Sequence, residues 1–216
     1  MDQSILLPLF TFLVCYVIGS MPTAYLIGRI NRINIFQIGS GNMGAANAIR
    51  AMGMKWGVLV WIIDTLKGVL AVALAWNLPG APLSNGVIGA IAVVIGHNWS
   101  FIAALITGKI RGGKGAATAG GTWLILMAPW WQIIVITLSL WGAIVLLTRY
   151  VSLAVLVSVG IGTIWVMVLI SQGSMGIPSF YAFYILIVGS MIFYRHRENI
   201  KSLLAGRERR LGERAH

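Results

Sequence analysis

The chain has one cysteine, five acidic residues and three histidines among its 216 residues, and each shortage removes a class of chemistry. Cys15 stands alone inside an apolar stretch, so neither an internal disulfide nor a cysteine-rich metal site can form within one chain. It reads as a small, membrane-buried hydrophobe. Asp2, Asp64, Glu198, Glu208 and Glu213 are dispersed, with only Asp64 and Glu198 near the loops, which excludes the clustered carboxylates of two-metal catalysis. No His-Glu-x-x-His run occurs, and no metal or cofactor is expected.

Charge is scarce as well. Only 10% of residues are charged, 58% are apolar and mean hydropathy is +0.88, whereas an ordinary globular domain is about 25% charged and about 45 to 50% apolar. So few charges cannot cover a soluble surface, and the chain reads as an integral membrane protein whose excess apolar surface meets lipid. No Lys or Arg precedes the first apolar run and Asp2 has the wrong sign for a signal peptide, so that run is read as a retained span.

A bilayer core of about 30 Å takes about 20 residues of helix. Seven segments are candidates: Ser4 to Gly28, Lys55 to Leu78, Asn85 to Thr107, Gly115 to Ala128, Trp131 to Thr148, Val151 to Ile170 and Ser179 to Tyr194. The fourth is short, and reads as tilted, re-entrant or half of a hairpin. Basic residues then segregate. Arg29, Arg32, Arg50 and Lys55, then Lys109, Arg111 and Lys114, then Arg149, then the tail from Arg195 lie on one side, leaving Lys67 inside the second span. The positive-inside rule makes that side cytoplasmic. The expectation is an all-α integral membrane protein of seven transmembrane helices over residues 1–194, N-terminus outside, with a basic cytoplasmic tail over 195–216. Trp130 and Trp131 suit the outer interfacial belt. The net charge of +11 follows from this topology, and no nucleic-acid partner is expected.

Three cytoplasmic segments stand out. In Gly39-Ser40-Gly41-Asn42-Met43-Gly44-Ala45-Ala46-Asn47 a formal G-x-G-x-x-G lacks the strand that a dinucleotide fingerprint needs. What survives is convergent backbone N–H groups, donors at Ser40 and Asn42, and Arg50 further on, which suit an anion; a plain interfacial turn has the same composition. In Arg111-Gly112-Gly113-Lys114-Gly115 a P-loop would need Ser or Thr after Lys114, so nucleotide hydrolysis is not expected. The turn still opens a helix beside two cations, which suits phosphate, while its small residues also suit close helix packing. In Tyr194-Arg195-His196-Arg197-Glu198-Asn199-Ile200-Lys201, a continuing helix puts His196 and Asn199 on one face; from Lys201 to Arg214 the cations read as lipid contacts. Asp64 and Lys67, three apart in the second span, read as a buried ion pair, and His97 as either structural or functional. An H-x-x-x-x-D dyad starting at His97 would need an acid where Ile102 stands.

Taken together, GSGNMGAAN with Arg50, GH followed by RGGKGAATAGG, and RHRENI closely resemble the motifs of the bacterial acyl-phosphate:glycerol-3-phosphate acyltransferases, the PlsY family. The similarity extends through Ile63-Asp64-Thr65-Leu66-Lys67-Gly68 and Thr148-Arg149-Tyr150-Val151-Ser152. The resemblance implies a monomeric, multi-pass enzyme of the bacterial inner membrane, its active site facing the cytoplasm, that moves a fatty acyl group from acyl phosphate to the 1-hydroxyl of glycerol 3-phosphate. Lysophosphatidic acid and phosphate result, the first acylation of phospholipid synthesis. It also implies catalytic roles for Ser40, Arg50, Lys114, His196 and Asn199. Substrate contacts fall to Gly39, Gly41, Asn42, Gly44, Asn47, His97, Arg111, Gly112, Gly113, Gly115 and Thr118, and structural support to Asp64, Lys67 and Glu198. Two departures from the family pattern are Ala46, where Thr is usual, and a connection after His97 about five residues longer than usual. An acyl phosphate is a mixed anhydride, so direct attack needs no acyl-enzyme, with His196 or a donor phosphate oxygen as base. The competing reading is a transporter or channel for organic phosphates, or a lipid scaffold; clustering of the unusual residues on one face and an odd span count weigh against internal-repeat transport.

Overall fold

The structure, a computed structural model, describes residues 3–213; Asp2 and Arg214, on which two expectations above rest, lie outside them. Among the described residues every regular element is helical, apart from one isolated bridge between Ser100 and Arg111. The chain divides into two compact units, Met1–Ile125 with Gly212–His216, and Leu126–Leu211.

The first unit holds α1 (Gln3–Ser20), α2 (Thr23–Ile30), α3 (Ala45–Met52), α4 (Met54–Asn77), α5 (Asn85–Asn98), α6 (Phe101–Thr107) and α7 (Ala116–Leu126), which runs one residue beyond it. Pro22 breaks the first apolar run. It has no N–H to continue the ladder, so the chain turns at Met21 and α2 starts afresh at Thr23. In α4 polarity is reversed relative to a soluble helix: Val58, Trp61, Ile62, Leu66 and Leu70 face outward, while Asp64 and Lys67 are buried. Water would penalise each exposed side chain of that kind by about 1.5 to 3 kcal/mol; lipid does not. Against α4 and α1 packs α5. Gly96 brings α5 and α1 into backbone contact, since a Cβ there would overlap the Tyr16 carbonyl. Asn85 seals the far end, its Nδ2 donating to Thr11 Oγ1 at 2.9 Å and to the Ala75 carbonyl at 2.8 Å.

The third apolar run does not continue to Thr107 as its composition suggests. Its span ends at Asn98, because the Ser100 hydroxyl caps a new helix at Ala103 N, at 3.0 Å. Gly108 ends that helix in the left-handed conformation, and the chain returns antiparallel, Ser100 N to the Arg111 carbonyl at 3.0 Å. The longer connection after His97 is thereby closed on itself as α6, and the glycine turn still arrives beside the end of α5. The fourth segment is α7, only 11 residues, about half of a 30 Å core at 1.5 Å per residue.

The second unit holds α8 (Trp131–Thr148), α9 (Val151–Ser171), α10 (Tyr181–Arg195) and α11 (Arg197–Leu204). Among the described residues four helical stretches, Ile5–Ile30, Met54–Asn77, Ala128–Thr148 and Val151–Ser171, are long and apolar enough to cross a membrane; Asn85–Asn98, Ala116–Leu126 and Tyr181–Arg195 are shorter apolar helices. Trp130 is fixed at the start of α8, its Nε1 donating to the Met175 carbonyl at 2.7 Å and its ring lying edge-on to Tyr181. Beyond α11, positive φ at Gly206 turns the chain back toward the start of α9.

Candidate active site

The loop between α2 and α3 is pinned from beneath by Ile35 and Met43, buried with Ala24, Ile27, Ala48 and Val60. Asn47, buried in the first turn of α3, organises it: Oδ1 accepts from Ser40 N at 3.0 Å, and Nδ2 donates to the Asn42 carbonyl at 3.0 Å and the Ile35 carbonyl at 3.3 Å. Asn42 Oδ1 accepts from Gly44 N at 2.9 Å, its Nδ2 donates to Ser40 Oγ at 2.7 Å, and Gly41 N donates to the Ile38 carbonyl at 3.0 Å. An irregular loop must satisfy its own polar groups. The N–H groups of Ser40, Gly41 and Gly44 are thus bonded within the loop, and Asn42 and Asn47 fasten it. Ser40 itself is exposed. Because its Oγ accepts from Asn42, the hydroxyl proton is left to donate outward. Arg50, half-buried, follows Asn47 by three residues on the same face of α3.

The second segment is moulded on the end of α5. A Cβ on Gly112 would overlap the Asn98 carbonyl, and one on Gly113 would overlap His97 Nε2, while Gly113 N donates to the His97 carbonyl at 3.0 Å. Only glycine fits either place. The Arg111 guanidinium lies 4.6 Å from the Phe36 ring centroid, and Phe36 stacks in turn on Tyr25, so the glycine turn and the first loop meet at this cation–π contact. Lys114 is half-buried and Gly115, at φ 79°, leads into α7. His97, expected to contact substrate, is 3% exposed and lies under the turn. Thr118, with the same expectation, is fully buried, its carbonyl against Gly68 of α4.

Beneath this turn lies a charged network. Asp64 Oδ1 accepts from Thr23 Oγ1 at 2.8 Å and pairs with Lys67 Nζ at 2.9 Å. Lys67 also donates to the Met21 carbonyl at 3.2 Å. The break at Pro22 thus presents a carbonyl and a hydroxyl to a buried ion pair, the compensation such a pair needs away from water. His97 Nδ1 is 3.8 Å from the same carboxylate oxygen, an electrostatic contact longer than a hydrogen bond.

In the second unit His196 interrupts the helix for one residue and keeps the ladder across the junction, its N–H donating to the Ile192 carbonyl and its carbonyl accepting from Ile200 N at 2.9 Å. The ring is buried, with Nδ1 2.8 Å from the Ile192 carbonyl. A carbonyl can only accept, so Nδ1 carries the proton and Nε2 is the accepting nitrogen of the neutral ring. Asn199 Nδ2 donates to Glu208 Oε1 at 2.7 Å, the same oxygen that accepts from Ser152 Oγ at 2.7 Å. Leu211 closes the strap, its N–H reaching the Arg149 carbonyl at 2.7 Å while Arg149 Nη2 donates to the Leu211 carbonyl at 2.8 Å. Glu198, expected to support the site, has a 69% exposed side chain paired with Lys201 at 3.3 Å, worth about 0 to 1 kcal/mol at a surface. Glu208, outside the motif, is the carboxylate that holds Asn199. Sequence reasoning passed over Glu208 because it stands among arginines; its spacing of nine from Asn199 has meaning only once Gly206 reverses the chain. Glu208→Ala is expected to destabilise the protein by about 2 kcal/mol, the usual weight of hydrogen bonds to a charged group, read as a lowered thermal midpoint in detergent.

Known proteins match this arrangement along nearly the whole chain. The family described as glycerol-3-phosphate acyltransferase matches over residues 9–206. The chain belongs to that family. Its relatives include glycerol-3-phosphate acyltransferase 2 of Moorella thermoacetica, 38% identical over 96% of this chain and 99% of the relative. A glycerol-3-phosphate acyltransferase of Thermus thermophilus is 37% identical over 95% and 96%. Among solved structures, PlsY (YgiH), an integral membrane glycerol 3-phosphate acyltransferase, is similar in its glycerol 3-phosphate form, with a TM-score of 0.80, 34% identity, and coverage of 95% of this chain and 96% of that one. Its lysophosphatidic acid form gives a TM-score of 0.78 at 33% identity, over 94% of each chain.

Proposed function

We propose that this chain transfers a fatty acyl group from an acyl phosphate to the 1-hydroxyl of sn-glycerol 3-phosphate, giving lysophosphatidic acid and phosphate. The observation that carries the reading is the whole-length likeness to an acyltransferase solved in glycerol 3-phosphate and lysophosphatidic acid forms, joined to the three motifs. In this reading the apolar helices enter the bacterial inner membrane as seven segments, residues 195–216 form a cytoplasmic tail, and the protein acts as a monomer with its basic loops and active site on the cytoplasmic side.

The hydroxyl oxygen attacks the acyl carbonyl carbon, the carbon–oxygen bond to phosphate breaks, and phosphate leaves with the bonding pair. The hydroxyl proton passes to His196 Nε2. Asn199, held by Glu208, orients the hydroxyl. Ser40, Arg50, Lys114 and the glycine turn supply donors and positive charge to phosphoryl oxygens, where charge gathers in the transition state. No acyl-enzyme is required by an anhydride donor, and Cys15, buried in α1 with its thiol toward the Ala71 carbonyl, is remote from all these groups in sequence. The membrane supplies the donor's fatty chain directly, which is why so apolar a protein handles two phosphorylated substrates.

Purified full-length protein in detergent or nanodiscs, given acyl phosphate, is expected to release phosphate only when glycerol 3-phosphate is also present, and to form no product from acyl-CoA or acyl carrier protein. Uptake of glycerol 3-phosphate into liposomes without acyl transfer would overturn the reading in favour of a transporter.

A further inference from the structure

The buried charges of α4 lie close to the glycine turn, and one ring joins them. Asp64, 1% exposed, gathers Thr23 Oγ1 at 2.8 Å and Lys67 Nζ at 2.9 Å on a single carboxylate oxygen, with His97 Nδ1 3.8 Å away. The other side of the same ring fills the space where a side chain on Gly113 would stand, and the His97 carbonyl holds Gly113 N at 3.0 Å. With a proton on Nδ1, the carboxylate draws that edge of the planar ring toward itself and so sets the position of the other edge. The ring is enclosed, 3% exposed, so its tilt is transmitted to whatever lies on it.

We propose that Asp64 is a positioning residue for the phosphate-binding turn, acting through His97: the carboxylate fixes the imidazole, and the imidazole fixes Gly112, Gly113 and Lys114 in the arrangement that takes a phosphoryl group. Lys67 and Thr23 hold the Asp64 carboxylate in place, and the Met21 carbonyl completes the set. The ion pair within α4 thus tunes the affinity of a site at the end of α5. His97 supports the turn without touching substrate. The inference rests on the phosphate-binding role proposed above for the turn.

Removing Asp64 alone would strand the Lys67 charge, so the informative variant is the charge-balanced Asp64→Asn/Lys67→Met. It is compared with His97→Asn, which keeps a polar head toward position 64 and removes the ring edge beneath Gly113, and with the triple variant. For each, KM for glycerol 3-phosphate, KM for acyl phosphate, kcat and the thermal midpoint are measured on purified full-length protein. The double and His97→Asn variants are each expected to raise at least one KM by about tenfold, within the coupling range of contacting residues, with kcat changed little, as for lost substrate binding. Which KM rises tells which phosphoryl group the turn holds. The triple variant is expected to match His97→Asn. Effects that multiply in the triple variant, or a lowered thermal midpoint with both KM values intact, would overturn the inference. A wild-type protein that transfers no acyl group would instead overturn the functional reading.

Discussion

Replacing His196 by alanine is expected to lower kcat by about a hundred- to ten-thousand-fold, the usual weight of a positioned general base. The hydrogen bond from Nδ1 to the Ile192 carbonyl, at 2.8 Å, fixes the tautomer. With the proton committed there, Nε2 is the nitrogen left to accept a proton. The ring is buried at the junction of α10 and α11, so its loss would also leave space, and alanine alone does not separate chemistry from packing. His196→Asn does. Its side-chain N–H can replace Nδ1–H toward Ile192, while nothing stands where Nε2 was. The His196→Asn protein is expected to keep its thermal midpoint and lose turnover as severely as the alanine variant, measured at saturating glycerol 3-phosphate. Near-normal turnover in both would remove the side-chain base and leave the donor's own phosphate oxygen to accept the proton.

The parts of this molecule that could be read from sequence are those governed by short-range rules. The second, fifth, sixth and seventh apolar runs become α4, α8, α9 and α10 within two residues at each end, because hydropathy and flanking polar residues decide where a helix in lipid stops. The break at Pro22 and the end of α5 at Asn98 fall inside longer apolar runs, interrupted only briefly by Ser20 and Thr23 in one and by His97, Asn98 and Ser100 in the other. What ends α5 is a hydroxyl cap at Ser100 and a return pairing with Arg111 eleven residues on, and neither leaves a mark on a hydropathy profile. The reach of the loop asparagines is similar. For Asn47 the resemblance implies a substrate contact; its three hydrogen bonds into the loop depend on how Gly39 to Gly44 folds back. Pairs that need tertiary folding, Asp64 with His97 and Asn199 with Glu208, were visible as residues but not as partners.

Gly113→Ala carries the second large effect, expected as about a hundredfold loss in kcat/KM, the scale of a misplacement of about 1 Å in a site. The added methyl would overlap His97 Nε2, and neither side has free room: the ring is enclosed and attracted to Asp64 on its far edge, while Gly113 N is tied to the His97 carbonyl at 3.0 Å. The turn must rise, taking Lys114 with it. Gly120→Ala is the matched control, since nothing lies within 4 Å of a Cβ there and alanine is favoured over glycine inside a helix by about 1 kcal/mol; it should leave kinetics unchanged and raise the thermal midpoint slightly. Relief of the overlap tests its cause. In a His97→Ala background the methyl at 113 meets no ring, so Gly113→Ala should cost little beyond the His97→Ala loss itself, a non-additivity expected only of residues in contact. If the two losses multiply in the double variant, the harm at 113 comes from restricted backbone and not from the ring beneath it.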